Sequence, residues 1–438
     1  MGERDDGRSS ELHRAARSET SEEFSRGERG DVDASDIHSA DAAAAIIAGT
    51  TAELRRVRQH DLQLSLASGA CGRLLMESVC ASGLGRDSEY PPLLRQSVRR
   101  CIETLSHSRA SPGLFSGAAG IGWTLLRVTR HVEDGQVVSA CRAVSAALLR
   151  LLKEDGGASL GNDLIDGIAG LVVFAAEFAR RTDDAALLER ASRVLLRRAV
   201  ESDNGYYWPS EPQHLPQVKR RRYPLGCRGF GVAHGQVGIA SALSRAAVVL
   251  GSPALHRAST ASLEWMLQSA RGACERSYWP AIVHDSEEES VLRPGWCYGD
   301  IGACIVASAA AARLSRNETV LGFRLLLRQR LEVGVPWDAL EDDSLCHGAA
   351  GALALLMPGV ALSGWGFTEV TSHGLRLRVV EALLSRLSTW QDEMDARVSG
   401  VEDGLLMGTE GCIAAIAAAG ARRQDDSPLV DLFVGEQP

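Results

Sequence analysis

The chain has 438 residues, and 45% of them are hydrophobic, which is enough for a large buried core. Its formal net charge of -9 argues against nucleic acid as the main partner, because binding to phosphates requires a basic surface. The ten cysteines occur without an apolar secretory signal, so we expect reduced thiols in a cytoplasmic protein rather than a disulfide framework.

The N-terminal segment differs in composition from the rest of the chain. Residues 1–38 are rich in Arg, Glu, Asp, Ser and Gly and nearly lack large apolar residues. Such a segment cannot bury enough apolar surface to offset the entropy that is lost on ordering. We therefore predict a disordered charged tail over residues 1–38 and one helical domain over residues 39–438.

The longest uncharged run, from Ser344 to Thr368, raises the question of a membrane span. Five glycines and one proline interrupt this run, which favours a helix that ends in a loop over a helix that crosses a bilayer. The sequence therefore predicts that this is not an integral membrane protein.

A short motif, Gly-x-x-Gly, recurs along the chain, and each copy opens a run of small and apolar residues. Such runs are apolar on every side, as is typical of a fully buried helix. Amphipathic stretches such as Gln136–Glu154 and Gly374–Trp390 lie between the copies and predict helices with one buried face. The first glycines of the seven copies are Gly69, Gly117, Gly167, Gly235, Gly299, Gly348 and Gly408.

This alternation predicts an all-α fold in which seven inner and seven outer helices form a ring. The paired glycines lie on one face of each inner helix and allow neighbouring backbones to approach closely. The N-termini of the inner helices then gather at one mouth of the ring, where a functional site is expected. Residues 203–230 and 277–296 lack a helical period and predict loop or short-strand insertions at this mouth.

Three residues with the chemistry of metal ligands directly precede two of the glycine motifs. Cys297 comes just before the fifth motif, and Cys346 with His347 comes just before the sixth. Adjacent helix starts in a ring would bring the three side chains together. Two thiolates and one imidazole suit Zn²⁺, and three protein ligands leave a fourth position open, as in catalytic sites. The alternative is two buried thiols and an interior histidine.

Further polar residues are expected at the same mouth. His234 precedes the fourth motif, Asp163 lies four residues before the third, and Arg293 and Tyr298 flank Cys297. Each also has a structural explanation. The histidine fits an interior residue with satisfied hydrogen bonds, the aspartate a helix N-cap, the arginine a solvated side chain and the tyrosine a packed one.

The motifs DxxxG at Asp163, HGxxG at His234, RPxWCYG from Arg293 to Gly299 and CHG at Cys346 resemble those of the lanthipeptide cyclases. The resemblance covers about residues 60–415. It implies an α/α toroid with a small β-containing insertion and one Zn²⁺ per chain. It also implies an enzyme that closes thioether rings by adding peptide Cys thiols to dehydroalanine or dehydrobutyrine.

The resemblance also assigns the site residues. It implies that Cys297, Cys346 and His347 bind the zinc ion, and that His234, Asp163, Arg293 and Tyr298 occupy active-site positions. We expect Arg293 to stabilise the enolate, His234 to protonate it, and Asp163 to orient either His234 or His347. The basic segment Lys219–Arg222 lies where the family carries its insertion and has no assigned role.

The implied partners are a dehydrated precursor peptide as substrate, a separate dehydratase and an exporter complex. The implied location is the cytoplasm, either free or at the membrane surface within such a complex. No nucleic acid is expected.

Two alternative functions remain open. One is another zinc-dependent thiol-alkylating enzyme, similar to a protein prenyltransferase, and the other is a non-catalytic scaffold that binds peptides and is braced by zinc. The second Cys ligand and the low aromatic content of 5% argue against the prenyltransferase. The polar residues around an open metal position argue against the scaffold.

Overall fold

The structure is a computed structural model that describes most of the region after the predicted tail. It describes residues 63–83, 92–107, 109–202, 205–272, 277–285, 287–289, 294–333, 335, 342–356, 404–420 and 428–434. Residues 1–38 lie outside the described residues, so the division into a tail and a domain stays a prediction.

Helices dominate the described part of the chain, and the strands are few and short. In chain order the helices are α1 (Ala70–Gly83), α2 (Pro92–His107), α3 (Ala118–Val128), α4 (Gly135–Glu154), α5 (Ile168–Thr182), α6 (Ala186–Arg198), α7 (Gln217–Arg222), α8 (Gln236–Leu250), α9 (Pro253–Gln268), α10 (Asp300–Arg313), α11 (Asn317–Val333), α12 (Ala349–Leu355), α13 (Thr409–Gly420) and α14 (Pro428–Phe433), with a 3₁₀ turn at Pro212–His214. The strands are β1 (Val200–Ser202), β2 (Gly205–Tyr207), β3 (Arg228–Gly229), β4 (Ile282–His284) and β5 (Glu287–Glu289).

The seven helices that follow the glycine motifs form a closed inner ring. Around the ring, α1 contacts α3, followed in order by α5, α8, α10, α12 and α13, and α13 returns to α1. The outer helices α2, α4, α6, α9 and α11 each pack on the inner helix that precedes them. The predicted all-α toroid is therefore confirmed, while the amphipathic stretch Gly374–Trp390 lies outside the described residues.

The second glycine of each motif makes room for the chain that enters the same helix. A Cβ atom on Gly120 would collide with the carbonyl oxygen of Leu114, six residues earlier, and would press on Leu66 of the neighbouring repeat. Gly238 has the same relation to Val232 and to Leu164 of the repeat before it. The glycines are thus required by a close approach of backbone, as the sequence indicated, and part of that approach comes from the helix's own entry turn.

A closed belt of backbone hydrogen bonds joins the seven entry turns at the mouth. Each turn donates a backbone N–H to a carbonyl oxygen of the next turn, at N···O distances of 2.8 to 3.1 Å. The acceptor residue always lies two positions before the first glycine of its motif. The acceptors, in order around the ring, are Phe115, Ile165, Ala233, Cys297, Cys346, Leu406 and Ala67. These buried polar groups are satisfied only while the ring is closed, so the belt sets the positions of all seven turns.

The C-terminal helix α14 lies inside the ring and supports the end of the ring that is opposite the mouth. It packs on α1, α12 and α13. The carboxylate of Asp431 pairs with Arg127 of α3, and the Arg130 Nη1 atom lies 3.6 Å from it. Arg245 of α8 donates to the Asp431 carbonyl oxygen at 3.3 Å. The segment therefore ties together inner helices from several sides of the ring.

The strands occur next to or within the two stretches for which loop or short-strand insertions were predicted. β1 and β2 form an antiparallel hairpin, and β3, β4 and β5 form a three-stranded antiparallel sheet in that order. A small core of Tyr223, Cys227, Ala281 and Ile282 holds the second group together, and Tyr298 packs against this core. The insertion is thereby attached directly beside the fifth glycine motif.

One described helix, α4, is long and apolar enough to cross a membrane by length and composition. In the ring it is an outer helix that packs on α3. One face, which includes Val137, Cys141 and Leu152, is buried against its neighbours. The packing of this helix in the ring therefore accounts for its apolar face.

We expect Asp431→Ala to lower the free energy of unfolding by about 3 kcal/mol, because it breaks a buried ion pair. This value is at the low end of such effects, since Glu177 still contacts Arg127 in the variant. The control is Glu332→Ala, which removes the exposed pair between Glu332 and Arg328 and should change stability by about 0.5 kcal/mol or less. Urea denaturation of both variants measures the difference. Equal stability of the two variants would contradict a supporting role for α14.

Candidate metal centre

The belt brings the three predicted ligands together. Cys297 and Cys346 occupy equivalent positions in adjacent entry turns, and the backbone N–H of Cys297 donates to the carbonyl oxygen of Cys346 at 3.0 Å. The ligand atoms of Cys297, Cys346 and His347 all lie within 4.8 Å of one another. The structure therefore contains a cluster with the donors, the spacing and the burial to hold a metal ion.

A carboxylate that the sequence analysis did not identify orients His347. Asp342 Oδ2 lies 2.7 Å from Nε2 of His347, so Nδ1 is the ring nitrogen that remains for a metal. Asp342 is itself held by the backbone N–H of Ser344, at 2.9 Å. Asp342 lies six residues before the first glycine of its motif, and of the six equivalent positions in the other repeats only that of Glu402 is acidic, so the repeat pattern does not identify it.

The groups of the cluster shift one another's pKa values. The hydrogen bond with Cys346 is the main reason why the pKa of Cys297 falls to about 5, against the opposing effect of burial, and His347 lowers it further. The hydrogen bond with Asp342 raises the pKa of His347 to about 9, and Cys297 adds to this shift. Burial would raise the pKa of Asp342, but hydrogen bonds from His347 and Ser344 outweigh it and lower the pKa to about 2.

The low pKa of Cys297 and the kinds of donor atom in the cluster decide whether these residues fit a metal ion. A thiolate at neutral pH is the form in which cysteine binds metals, and two sulfur donors with one imidazole are a soft donor set. The cluster is mostly shielded from solvent, since Cys297 is 6% exposed and the His347 side chain 16% exposed. The donor chemistry therefore fits the zinc ion that the sequence predicted.

His234 and Asp163 form a pair at the same mouth. His234 Nδ1 lies 3.1 Å from Asp163 Oδ2. The other carboxylate oxygen of Asp163 accepts hydrogen bonds from the backbone N–H groups of Asp166 and Gly167. These groups lie in the turn before α5, whose N-cap is Gly167, so the explanation of Asp163 as a helix N-cap is wrong. Burial raises the pKa of Asp163, but the hydrogen bond with His234 and the backbone bonds lower it overall. Of the two histidines considered as its partner, Asp163 contacts His234.

Tyr298 links this pair to the insertion. Its ring centroid lies 6.2 Å from that of His234, and Lys219 Nζ lies 6.0 Å from the Tyr298 centroid. Burial raises the pKa of the Tyr298 hydroxyl well above its ordinary value, and the charge of Cys297 adds to the shift, so this group stays protonated. Lys219 belongs to the basic segment to which the sequence analysis assigned no role. Arg293 lies outside the described residues.

The residue next to Cys297 is held from the inside of the ring. The Trp296 ring packs edge-on against Phe433 of α14, with centroids 4.6 Å apart, and its Nε1 donates to the Phe433 carbonyl oxygen at 3.2 Å. The Phe115 ring also packs against Trp296, with the ring centroids 5.6 Å apart. The C-terminal helix therefore supports the turn that carries a candidate ligand.

Comparisons with known proteins agree with this architecture. Residues 60–358 match the family described as lanthionine synthetase C-like protein. The nisin biosynthesis protein NisC of Lactococcus lactis subsp. lactis is 22% identical over 316 residues, which cover 67% of this chain and 73% of that protein. The solved structure of a nisin cyclase superposes with a TM-score of 0.62 at 18% identity, over 89% of this chain and 98% of that chain. The structural likeness shows a shared fold.

We expect Asp342→Asn to weaken Zn²⁺ binding about 10- to 100-fold, because the amide no longer orients His347 as a charged acceptor. The control is Asp134→Asn, which changes the N-cap of α4, far along the chain from the cluster, to an equally good capping residue. Competition with a chromogenic chelator measures both affinities. A wild-type affinity in Asp342→Asn would show that this contact does not support the site.

Proposed function

This chain belongs to the lanthionine synthetase C-like family, and on that basis we propose that it closes thioether rings in a dehydrated peptide. The observation that carries the proposal is the cluster of Cys297, Cys346 and His347 beside the pair of His234 and Asp163 at one mouth of the ring. The name of the relative NisC, a nisin biosynthesis protein, supports a peptide substrate.

We assign one Zn²⁺ to the cluster, held by two thiolates and one imidazole. When bound, the ion would supply a Lewis acid that keeps a substrate thiol ionised at the position the three protein ligands leave open. Cys297 and Cys346 are held in place by the backbone belt, and His347 by Asp342. The protein thus contributes a rigid set of ligands before any substrate arrives.

In the reaction the substrate sulfur forms a bond to the β-carbon of a dehydroalanine or dehydrobutyrine. The π electrons of the double bond move to the α-carbon and its carbonyl group, which gives an enolate. The α-carbon then takes a proton, so the thiol proton lost at the start is replaced and no other reactant is consumed. The chain therefore has to supply a proton donor close to the enolate and a charge that stabilises it.

His234 is the proton donor in this proposal. Its Nδ1 faces Asp163, so Nε2 is the ring nitrogen that remains to deliver a proton to the substrate. The His234 side chain is 40% exposed, which leaves it open to a substrate at the mouth. Histidine is the side chain that most often serves as a general acid, and the contact with Asp163 at 3.1 Å fixes the orientation of the His234 ring. The stabilisation of the enolate by Arg293 stays a prediction.

The partners follow from the chemistry of the substrate. Dehydroalanine and dehydrobutyrine arise by loss of water from Ser and Thr, so a separate dehydratase has to act first. We propose a cytoplasmic reaction, free or beside a membrane exporter. A prenyltransferase-like enzyme and a zinc-braced scaffold remain the alternatives, and they differ from a cyclase in what happens to free thiols on a dehydrated peptide.

We expect the purified protein to contain about one zinc ion per chain and to consume the thiol of a dehydrated peptide with a single cysteine. Cys297→Ala should lose both properties. Cys304→Ala is the matched control, because Cys304 is a buried residue of α10 in the same repeat and should keep both. Metal analysis and mass measurement after alkylation report the two results. Zinc without loss of thiol in the wild type would favour the scaffold, and loss of thiol only after a prenyl diphosphate is added would favour the transferase.

We expect His234→Asn to lower kcat about 100-fold or more, because a positioned acid contributes about 10²- to 10⁴-fold to proton transfer. The ring that still forms should be a mixture of diastereomers, since water protonates the enolate from either face. Zinc content should be that of the wild type, because His234 is not among the ligands. Chiral analysis of the hydrolysed product, with Asp163→Asn beside it, measures the effect. A wild-type rate and one diastereomer would remove His234 from the mechanism.

A further inference from the structure

The short helix α7 concentrates positive charge on a chain whose net charge is -9. Four consecutive cationic residues, Lys219 to Arg222, lie in this helix of six residues. Arg220, Arg221 and Arg222 are exposed, while Lys219 is half-buried and faces Tyr298. The helix thus forms a basic rim at the edge of the site.

Two of these four cationic side chains have partners within the protein. The guanidinium of Arg220 donates to the carbonyl oxygens of Pro212, Gln213 and Leu215, which fixes the start of the helix. Arg222 Nε lies 2.7 Å from Glu289 of β5. Among the described residues, none forms an ion pair or hydrogen bond with Arg221. The positive charge of the rim is therefore only partly neutralised.

The same segment exposes apolar side chains. Val218 is 81% exposed and Leu225 is 76% exposed, which makes them the two most exposed large hydrophobic residues in the described part of the chain. Exposed apolar residues next to arginines are typical of surfaces that bind another chain, because such surfaces gain from being covered.

The rim is attached to the candidate site. Tyr223, which directly follows α7, and Cys227, four residues later, belong to the insertion core that packs against Tyr298. Lys219 lies over the Tyr298 ring, and the same ring lies 6.2 Å from His234. A peptide whose reacting residues lie at the metal cluster would therefore extend past α7 as it leaves the mouth on this side.

We propose that α7 and Leu225 bind an acidic stretch of the peptide substrate, a few residues away from the reacting cysteine. This inference rests on the proposed function, which supplies the peptide. An extended peptide covers about 3.4 Å per residue, so an acidic side chain has to lie at least a few residues from the reacting cysteine to contact the rim. Attraction between acidic side chains and the rim would raise the local concentration of substrate and favour one direction of entry.

The test uses two fluorescein-labelled peptides that differ only in four residues, which are glutamates in one and glutamines in the other. Both contain dehydroalanine and have serine in place of cysteine, so that binding is measured without reaction. We expect the zinc-loaded wild type to bind the glutamate peptide about tenfold more tightly by fluorescence anisotropy, and the difference to shrink at high salt. Arg221→Glu should abolish the preference.

The matched control is Arg142→Glu on the exposed face of α4, which changes the net charge by the same amount and should keep the preference. Equal affinities for both peptides in the wild type, or an unchanged preference in Arg221→Glu, would overturn the proposal. A third result would also overturn it. If the wild type bound both peptides equally but bound phosphatidylglycerol vesicles, and Arg221→Glu abolished the vesicle binding, the rim would be assigned to a membrane surface. Thiol consumption from cysteine versions of both peptides tests the proposed function separately, because ring closure does not require the preference.

Discussion

The closed belt of backbone hydrogen bonds at the mouth is the constraint on which the rest of the site depends. Every entry turn donates to the next one, and the last turn, at Leu406, donates to the first, at Ala67. A buried N–H without a partner destabilises a fold by more than one hydrogen bond contributes, so opening the belt at any turn would be unfavourable. The seven turns are thus held at fixed positions by one another rather than by the side chains at the mouth.

This arrangement separates the scaffold from the chemistry. The belt uses only backbone atoms, so the side chains at its equivalent positions are free to differ. Two adjacent turns place Cys297 and Cys346 at the same position, where other turns carry apolar residues such as Ile165. The next position carries His347 in one turn and His234 in another, and both face the mouth. A repeated fold can hold a single asymmetric site in this way, because each substitution alters one wall of the mouth and leaves the ring intact.

Contacts distant in sequence then refine the site. Asp342 selects the ring nitrogen that His347 presents, and Asp163 does the same for His234. From inside the ring, α14 supports the turn that carries Cys297, through the contact between the Trp296 and Phe433 rings. Two orienting carboxylates, one for the candidate metal ligand and one for the proposed proton donor, hold the two imidazoles in separate positions.

The sequence by itself determined the repeat, the inner helices, the all-α ring and the meeting of Cys297, Cys346 and His347, because glycine spacing and helical periodicity are local signals that act within each repeat. Only the tertiary structure decided that Asp163 contacts His234, that Asp342 orients the other histidine, that α14 occupies the inside of the ring and that α7 faces Tyr298. These contacts join segments far apart in the chain or depend on the direction of single side chains. No periodic pattern encodes such distances, since they follow from how the closed ring brings unlike segments together.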